Sequence, residues 1–198
     1  MIGDLPRKVL IGNTEYEINT DYRIALLIFE AIDDPDLNDS EKSEVMLRCL
    51  YCDPEKIPDD KYVEALEAAA YFLDAGRRTS TKNNASTAKL ISWTQDEQLM
   101  FSALNKVAGM EIRNTTYLHW WTFLGYFSEL GEGLFSTVLH IRQKRAARKQ
   151  LSAAEKEFVK SHKEIIDIVP KRSAAELAER ARLNELLNGG EGVSQTVI

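Results

Sequence analysis

The first apolar residues of the chain follow the short spacing of a β-hairpin. The segments KVLIG and TEYEI meet at the dipeptide Gly12-Asn13, and the second segment alternates Tyr16 and Ile18 with glutamates. A glycine-asparagine dipeptide between short apolar runs favours a tight hairpin turn. Because a lone hairpin is only marginally stable in water, this one is predicted to pack against helices.

After residue 20 the apolar residues recur every three or four positions, a spacing typical of amphipathic helices. Helices are predicted near residues 20–31, 40–52, 59–76, 94–108, 117–130, 134–150, 153–168 and 174–188. Thr94, Ser152 and Ser173 each precede a glutamate by three residues, a capping-box pattern that marks helix starts. Residues 77–92 are mostly small and polar, and they are predicted to form an exposed linker.

The segment YLHWWTFLGYFSEL, residues 117–130, is the most aromatic part of the chain. Seven of its fourteen residues are aromatic when His119 is included, and apolar residues occupy nearly every side of the expected helix. Such a helix is predicted to be buried all round, without one wet face. The predicted core residues of this segment are Leu118, Trp120, Trp121, Phe123, Leu124 and Phe127.

These patterns predict a mainly α fold. An N-terminal β-hairpin is expected to pack on a compact helical bundle with a buried aromatic central helix and a charged helical C-terminal arm. Residues 1–150 are assigned to the hairpin and helical core, 151–188 to a helical extension and 189–198 to a disordered tail. With 198 residues, of which 44% are hydrophobic, the chain is long enough to bury such a core.

Charge is distributed unevenly along the chain, and the formal net charge is −6. Residues 1–100 contain 11 Lys and Arg against 20 Asp and Glu, a balance of −9, whereas residues 101–198 contain 14 against 11, a balance of +3. An acidic chain of this kind argues against a protein that grips nucleic acid with its whole surface. No apolar run approaches the roughly 18 residues of a membrane helix, and no secretory signal opens the sequence, so a reducing cytoplasm is expected.

The pair Cys49 and Cys52 has the spacing of a redox or metal-binding motif. Both cysteines fall near the end of a predicted helix, however, where the helix dipole disfavours a thiolate. A zinc site would need two further ligands, and the three histidines, separated by 21 and 22 residues, do not form a compact ligand set. The two cysteines are therefore predicted to be packing thiols, and no metal site is predicted.

The sequence contains no recognisable catalytic motif. Phosphate-loop, dinucleotide-binding and metalloprotease spacings are absent. His119 has no nucleophile or acidic partner in its sequence setting, which favours a core histidine whose ring nitrogen meets a backbone carbonyl. The protein is accordingly predicted not to be an enzyme, with no catalytic residue and no cofactor.

The segment RQKRAARK carries five positive charges and no negative one. It is interpreted either as a solvated helix end, favourable to the helix dipole, or as a contact for an acidic partner or a phosphate. The candidate partner-binding residues are Arg142, Lys144, Arg145, Arg148 and Lys149. The aromatic segment has no Lys or Arg, so a stacking platform for nucleic acid is not predicted there.

Two parts of the chain carry a resemblance to a known family. The central stretch WTQDEQLMFSALNKVAGMEIRNTTYLHWWTFLGYFSELGEGLFSTVLHIRQ and the N-terminal segments INTDYRIALLIFEAIDD and YCDPEKIPDDKYVEALEAAAYFLDAG resemble the bacteriophage gene-product-fifteen family. The matching central positions are Asp96, Phe101, Leu118, His119, Trp120, Trp121, Phe123, Ile141 and Arg142. The resemblance spans roughly residues 14–165.

This resemblance implies a small, helical, non-enzymatic protein from the tail-gene cluster of long-tailed phages, located in the host bacterial cytoplasm. The implied role is that of a tail assembly chaperone, which keeps the tape-measure protein soluble and helps tail-tube subunits to assemble. A client helix would lie in a groove between helices, where the alanine-rich face around Ala65, Ala68 and Ala69 permits close approach. No membrane partner is expected, and a homo-oligomer remains open.

Two other functions stay open at this level. The first is a tail-completion or head–tail connector subunit retained in the virion. The second is a nucleic-acid-binding regulator that uses the basic segment.

Overall fold

The fold was obtained as a computed structural model, which describes residues 3–77 and 89–188, with side chains through residue 185. Strands β1 (Lys8–Ile11) and β2 (Thr14–Glu17) form the predicted antiparallel hairpin, in which Val9 lies opposite Tyr16. Gly12 turns the chain with a φ of 59°, which a glycine adopts without strain. Most of the predicted linker and the predicted tail lie outside the described residues.

The other regular elements of the described chain are helices, joined by loops and short 3-10 turns, so the predicted mainly α fold is confirmed. The helices are α1 (Tyr22–Ile32), α2 (Asp39–Leu50), α3 (Tyr62–Leu73), α4 (Glu97–Ala108), α5 (Trp120–Ser128), α6 (Leu134–Ala146), α7 (Ala153–Ser161), α8 (Lys163–Ile166) and α9 (Ala174–Asn188). Capping boxes form at Asn38 before α2 and at Ser152 before α7. The capping box predicted at Thr94 does not form, because α4 begins two residues later, after Asp96. The Asp96 carboxylate accepts a hydrogen bond from Arg142.

The aromatic segment enters the core, although less completely than predicted. Its residues Leu118, Trp120 and Phe123 are buried, and the Phe123 ring stacks on Tyr22 with 4.9 Å between ring centroids. Trp121, Leu124 and Phe127 are partly buried and pack against the same core. The prediction of a helix buried all round is wrong, since α5 exposes Gly125 and Ser128 to solvent.

A second, smaller apolar cluster forms where α7 and α8 fold back on α6. Val138 and Ile141 of α6 are buried there together with Ile166 of α8. Part of the predicted C-terminal extension is therefore packed against α6. By contrast, every described side chain of α9 from residue 174 to residue 185 is exposed, so α9 is the charged arm.

A buried ion pair joins this second cluster to α4. Arg142 is 5% exposed and Asp96 is 1% exposed; Nη1 and Nη2 of the arginine donate to the two carboxylate oxygens at 2.6 and 2.9 Å. Arg142 also donates to the carbonyls of Leu90, Ile165 and Ile166 at 2.8 to 2.9 Å. Every guanidinium nitrogen thus has a partner inside the protein. The prediction that Arg142 binds a partner is wrong, because its side chain is buried.

Substitution of Arg142 by Ala is expected to destabilise the fold strongly, because it leaves the Asp96 carboxylate buried without its counter-charge. The expected loss is about 3–5 kcal/mol in the free energy of unfolding, measured by urea denaturation. Arg145→Ala is the matched control, since the ion pair of Arg145 with Asp167 is largely exposed and is worth less than about 1 kcal/mol. Equal losses from the two variants would contradict this role for the buried pair.

Candidate functional site

A groove of about 900 Å³ runs between the hairpin and α3. One wall is β1. The other wall is a stripe of α3 at helical spacing, formed by Glu64, Glu67, Ala68 and Tyr71. Its size is within the range of ligand-binding clefts in proteins.

Large apolar side chains lie open to solvent along this groove. Leu10 on β1 is 63% exposed and Tyr71 on α3 is 47% exposed. Partly buried Trp121 of α5 also lines the groove. Exposed apolar surface of this kind, rimmed by charged residues, is typical of an interaction site.

Two indoles fix the position of α5 against the end of α3. Trp120 donates from Nε1 to the carbonyl of Leu73, and Trp121 donates from Nε1 to the carbonyl of Phe72, both at 2.9 Å. The last carbonyls of a helix have no partner within the helix, so they are available to such donors. The pair of bonds brings Trp121 to the groove beside the last turn of α3.

The chain leaves α3 close to the groove aromatics. The N–H of Gly76 donates to the carbonyl of Tyr71 at 2.9 Å, and the N–H of Ala75 donates to that of Phe72 at 3.1 Å, the bond pattern of a Schellman motif. Ala75 and Gly76 have φ values of 55° and 75°. A Cβ on Gly76 would lie 3.2 Å from Tyr71 Oη and 3.3 Å from Trp121 Cη2, so one of these side chains would have to shift by a few tenths of an ångström to accommodate it.

His119 fixes the start of α5 relative to the N-terminal segment. Its Nδ1 accepts a hydrogen bond from the N–H of Trp121 at 3.0 Å, and its Nε2 donates to the carbonyl of Pro6 at 2.9 Å. This arrangement requires the neutral ring with its proton on Nε2. Burial lowers the pKa of His119, which favours that neutral form. The ring nitrogens are therefore occupied by backbone groups, as predicted from the sequence setting.

Charge differs between the two walls of the groove. The α3 wall carries the carboxylates of Glu64, Glu67 and Asp74, of which Glu64 is paired with Lys61 at 2.5 Å. The β1 wall carries Lys8, which is 3.4 Å from the carboxylate of Glu15. Arg77 also lines the groove, just after α3, so with Glu64 paired this wall is only weakly acidic.

The alanine face predicted to receive a client helix is largely unavailable. Ala65 and Ala69 are fully buried in the core, because the same face of α3 packs on the other helices. Ala68 and Ala70 line the groove instead.

The predicted basic residues lie away from the groove, on α6 and just beyond it. Lys144 donates to Glu155 at 2.6 Å and Arg145 donates to Asp167 at 2.7 Å. Arg148 and Lys149 are exposed. With Arg142 buried, the five residues do not form one free basic surface.

The two cysteines do not form a reactive site. Cys49 is partly buried and packs against the core, Cys52 is exposed, and both are free thiols. Burial raises the pKa of both thiols, which disfavours the reactive thiolate. Within residues 3–77 and 89–188 no group of three or more His, Cys, Asp or Glu residues could hold a metal ion.

Sequence reasoning missed the groove itself. Leu10 was read only as part of a β-strand, yet its alternation with Val9 and Ile11 already places it on the opposite face of the strand. Tyr71 likewise lies outside the apolar stripe of the helix predicted near residues 59–76, which at helical spacing contains Leu66 and Leu73. The sequence signal that could have indicated the groove is the presence of large apolar residues outside the buried face of β1 and of α3.

These features define a helical protein with an open apolar groove. The family model described as Bacteriophage Gp15 protein matches residues 1–168, so the chain belongs to that family. Comparisons with curated proteins and with solved structures give no match. Among the described residues, no helix is both long enough and apolar enough to span a membrane.

Substitution of Gly76 by Ala is expected to disturb the groove as well as the backbone. A positive φ strains an alanine by about 1–2 kcal/mol, and the new methyl group would also displace Tyr71 or Trp121. Gly109→Ala is the matched control, since Gly109 has a φ of 70° but no heavy atom within 4 Å of its added Cβ. Both variants should lose similar backbone stability, and only Gly76→Ala should shift tryptophan fluorescence. A shift of the same size in both would contradict the close approach.

Proposed function

We propose that this protein is a phage tail morphogenesis factor that acts as a tail assembly chaperone and binds the tape-measure protein. Membership of the Bacteriophage Gp15 protein family supports the phage context. The observation that carries the proposal is the open groove, in which Leu10 and Tyr71 expose large apolar side chains beside Trp121.

The groove offers a client segment a place to bury apolar surface before assembly. Each square ångström of apolar surface removed from water contributes about 25 cal/mol, but association and side-chain ordering offset much of that gain. A groove of about 900 Å³ covers a short segment only. Its affinity is therefore expected to be modest, which suits a chaperone that must release its client.

The carboxylates that line the groove favour some apolar client segments over others. Glu67 on α3 and Asp74 just after it are exposed and line the groove, together with one cation there, Arg77. A client segment that carries Lys or Arg beside its apolar residues is favoured there, and an acidic segment is disfavoured. Tail-tube subunits are a second client class under this proposal, and the host bacterial cytoplasm is the expected place of action.

The alternative of a nucleic-acid-binding regulator has less support. Three of the five predicted basic residues, Arg142, Lys144 and Arg145, are paired with carboxylates within the protein. Only the exposed Arg148 and Lys149 have no acidic partner in the part of the chain that the structure describes. The other alternative is a tail or connector subunit that is retained in the virion. Mass spectrometry of purified virions distinguishes it from a chaperone, because a chaperone should be absent from them.

Co-expression with the tape-measure protein of the same phage tests the proposal. The native protein should raise the soluble fraction of the tape-measure protein and co-purify with it, and Tyr71→Ser should abolish most of that effect by removing apolar groove surface. Val63→Ser is the matched control, since Val63 is also on α3 and is 66% exposed but does not line the groove. Unchanged insolubility with the native protein, or equal losses in the two variants, would contradict the proposal.

A further inference from the structure

We propose that the groove binds its occupant as an extended strand that pairs with the free edge of β1, and not as a helix. The occupant is a partner segment with alternating apolar residues and a Lys or Arg towards one end. This inference rests on the proposed function, because the groove is the same and the occupant is the client segment.

The first step is the hydrogen-bonding pattern of the hairpin. The N–H of Ile18 donates to the carbonyl of Arg7 at 3.0 Å, which continues the ladder in which Val9 pairs with Tyr16. In an antiparallel ladder the hydrogen-bonded positions alternate, so the N–H and C=O groups of Lys8 and Leu10 point away from β2. Within residues 3–77 and 89–188 no other element forms a hydrogen bond to these backbone groups.

The second step is the placement of this free edge. Lys8, Val9 and Leu10 line the groove, so the unpaired backbone groups of β1 border the open space. Proteins protect a sheet edge with charge or proline, and Pro6 and Lys8 do so at the start of β1, whereas the exposed Leu10 leaves the rest of the edge open to pairing. The 63% exposure of Leu10 places an apolar side chain beside the unpaired backbone groups.

The third step is the opposite wall. The stripe of α3 that includes Glu67, Ala68 and Tyr71 faces the edge of β1 across the groove. The open space beside the edge is thereby bounded by α3. Strand addition to a free edge is a common mode of peptide recognition, in which main-chain bonds give affinity and side-chain pockets give selectivity.

The fourth step is the chemistry of the occupant. Towards the hairpin turn Glu64 is already paired with Lys61, whereas Glu67, one helical turn further along α3, is exposed and has no cationic partner among the described residues. At the other end, Pro6 is held by His119 beside Tyr71 and Trp121, and Asp74 and Arg77 place one charge of each sign there. The fitting strand therefore places a Lys or Arg opposite Glu67 and valine-like side chains near Tyr71 and Trp121.

Amide hydrogen exchange of the full chain, followed by NMR, tests strand pairing directly. Two probes are used: a synthetic peptide of alternating Val and Thr with a terminal Lys, and overlapping synthetic peptides of the tape-measure protein. A saturating strand-forming peptide should slow exchange of the Lys8 and Leu10 amides by about tenfold or more, because each amide either donates a hydrogen bond to the peptide or is shielded from water by it. The amides of Val9 and Ile11, already within the hairpin ladder, are internal controls and should change little.

Two substitutions of Leu10 separate the contribution of its backbone N–H to peptide binding from that of its side chain. Leu10→Pro removes the outward N–H without removing a ladder bond, and should weaken peptide binding by about tenfold. Leu10→Ala keeps that N–H and should weaken binding less. Circular dichroism checks the fold of both variants, and Lys8→Pro replaces Leu10→Pro if that variant unfolds.

The outcomes distinguish this inference from the proposed function. If tape-measure peptides bind while the exchange of Lys8 and Leu10 is unchanged, strand pairing is overturned and the chaperone proposal stands. If only the Val-Thr peptide protects the edge and no tape-measure peptide binds, strand pairing stands and the chaperone proposal fails. If neither probe protects these amides, strand pairing is overturned.

Discussion

The indole N–H groups of two neighbouring tryptophans donate to the last carbonyls of α3 and thereby fix the position of one groove wall. Trp120 and Trp121 donate to the carbonyls of Leu73 and Phe72, in the last turn of α3. Loss of the Trp120 bond would leave the buried Leu73 carbonyl without a partner, at a cost of about 1–3 kcal/mol, whereas the Phe72 carbonyl would keep its bond from the Ala75 N–H. The two indoles then serve different surfaces: Trp120 fills the core, whereas Trp121 lines the groove.

The main elements of the fold could be predicted because they depend on local patterns. The turn at Gly12-Asn13 and the apolar spacing of the helices identified the hairpin and the mainly α class, and the density of aromatic residues located the central helix. Arg142 could not be placed in this way. Its position in a run of five basic residues suggested a solvated helix end, but its partner Asp96 lies 46 residues away in the sequence. Long-range ion pairs leave no trace in local spacing.

The groove could not be predicted from local sequence patterns either, for a related reason. Its lining comes from three separate segments, represented by Leu10, Tyr71 and Trp121, and none of these segments forms a groove alone. The alanines of α3 illustrate the limit. Ala65 and Ala69 look from the sequence like a surface for a client helix, but they are the face that packs the core. Helical spacing identifies a face and does not say which neighbour covers it.

The central claim is that both indoles are bonded to α3, and indole hydrogen exchange of the full chain tests it most directly. Trp93 is an internal reference, since its indole N–H has no hydrogen-bond partner among the described residues. Once the three signals are assigned with single Trp→Phe variants, the indole protons of Trp120 and Trp121 should both exchange more slowly than that of Trp93. If Trp121 exchanged as fast as Trp93, the bond to Phe72 and the position of the groove wall would be contradicted.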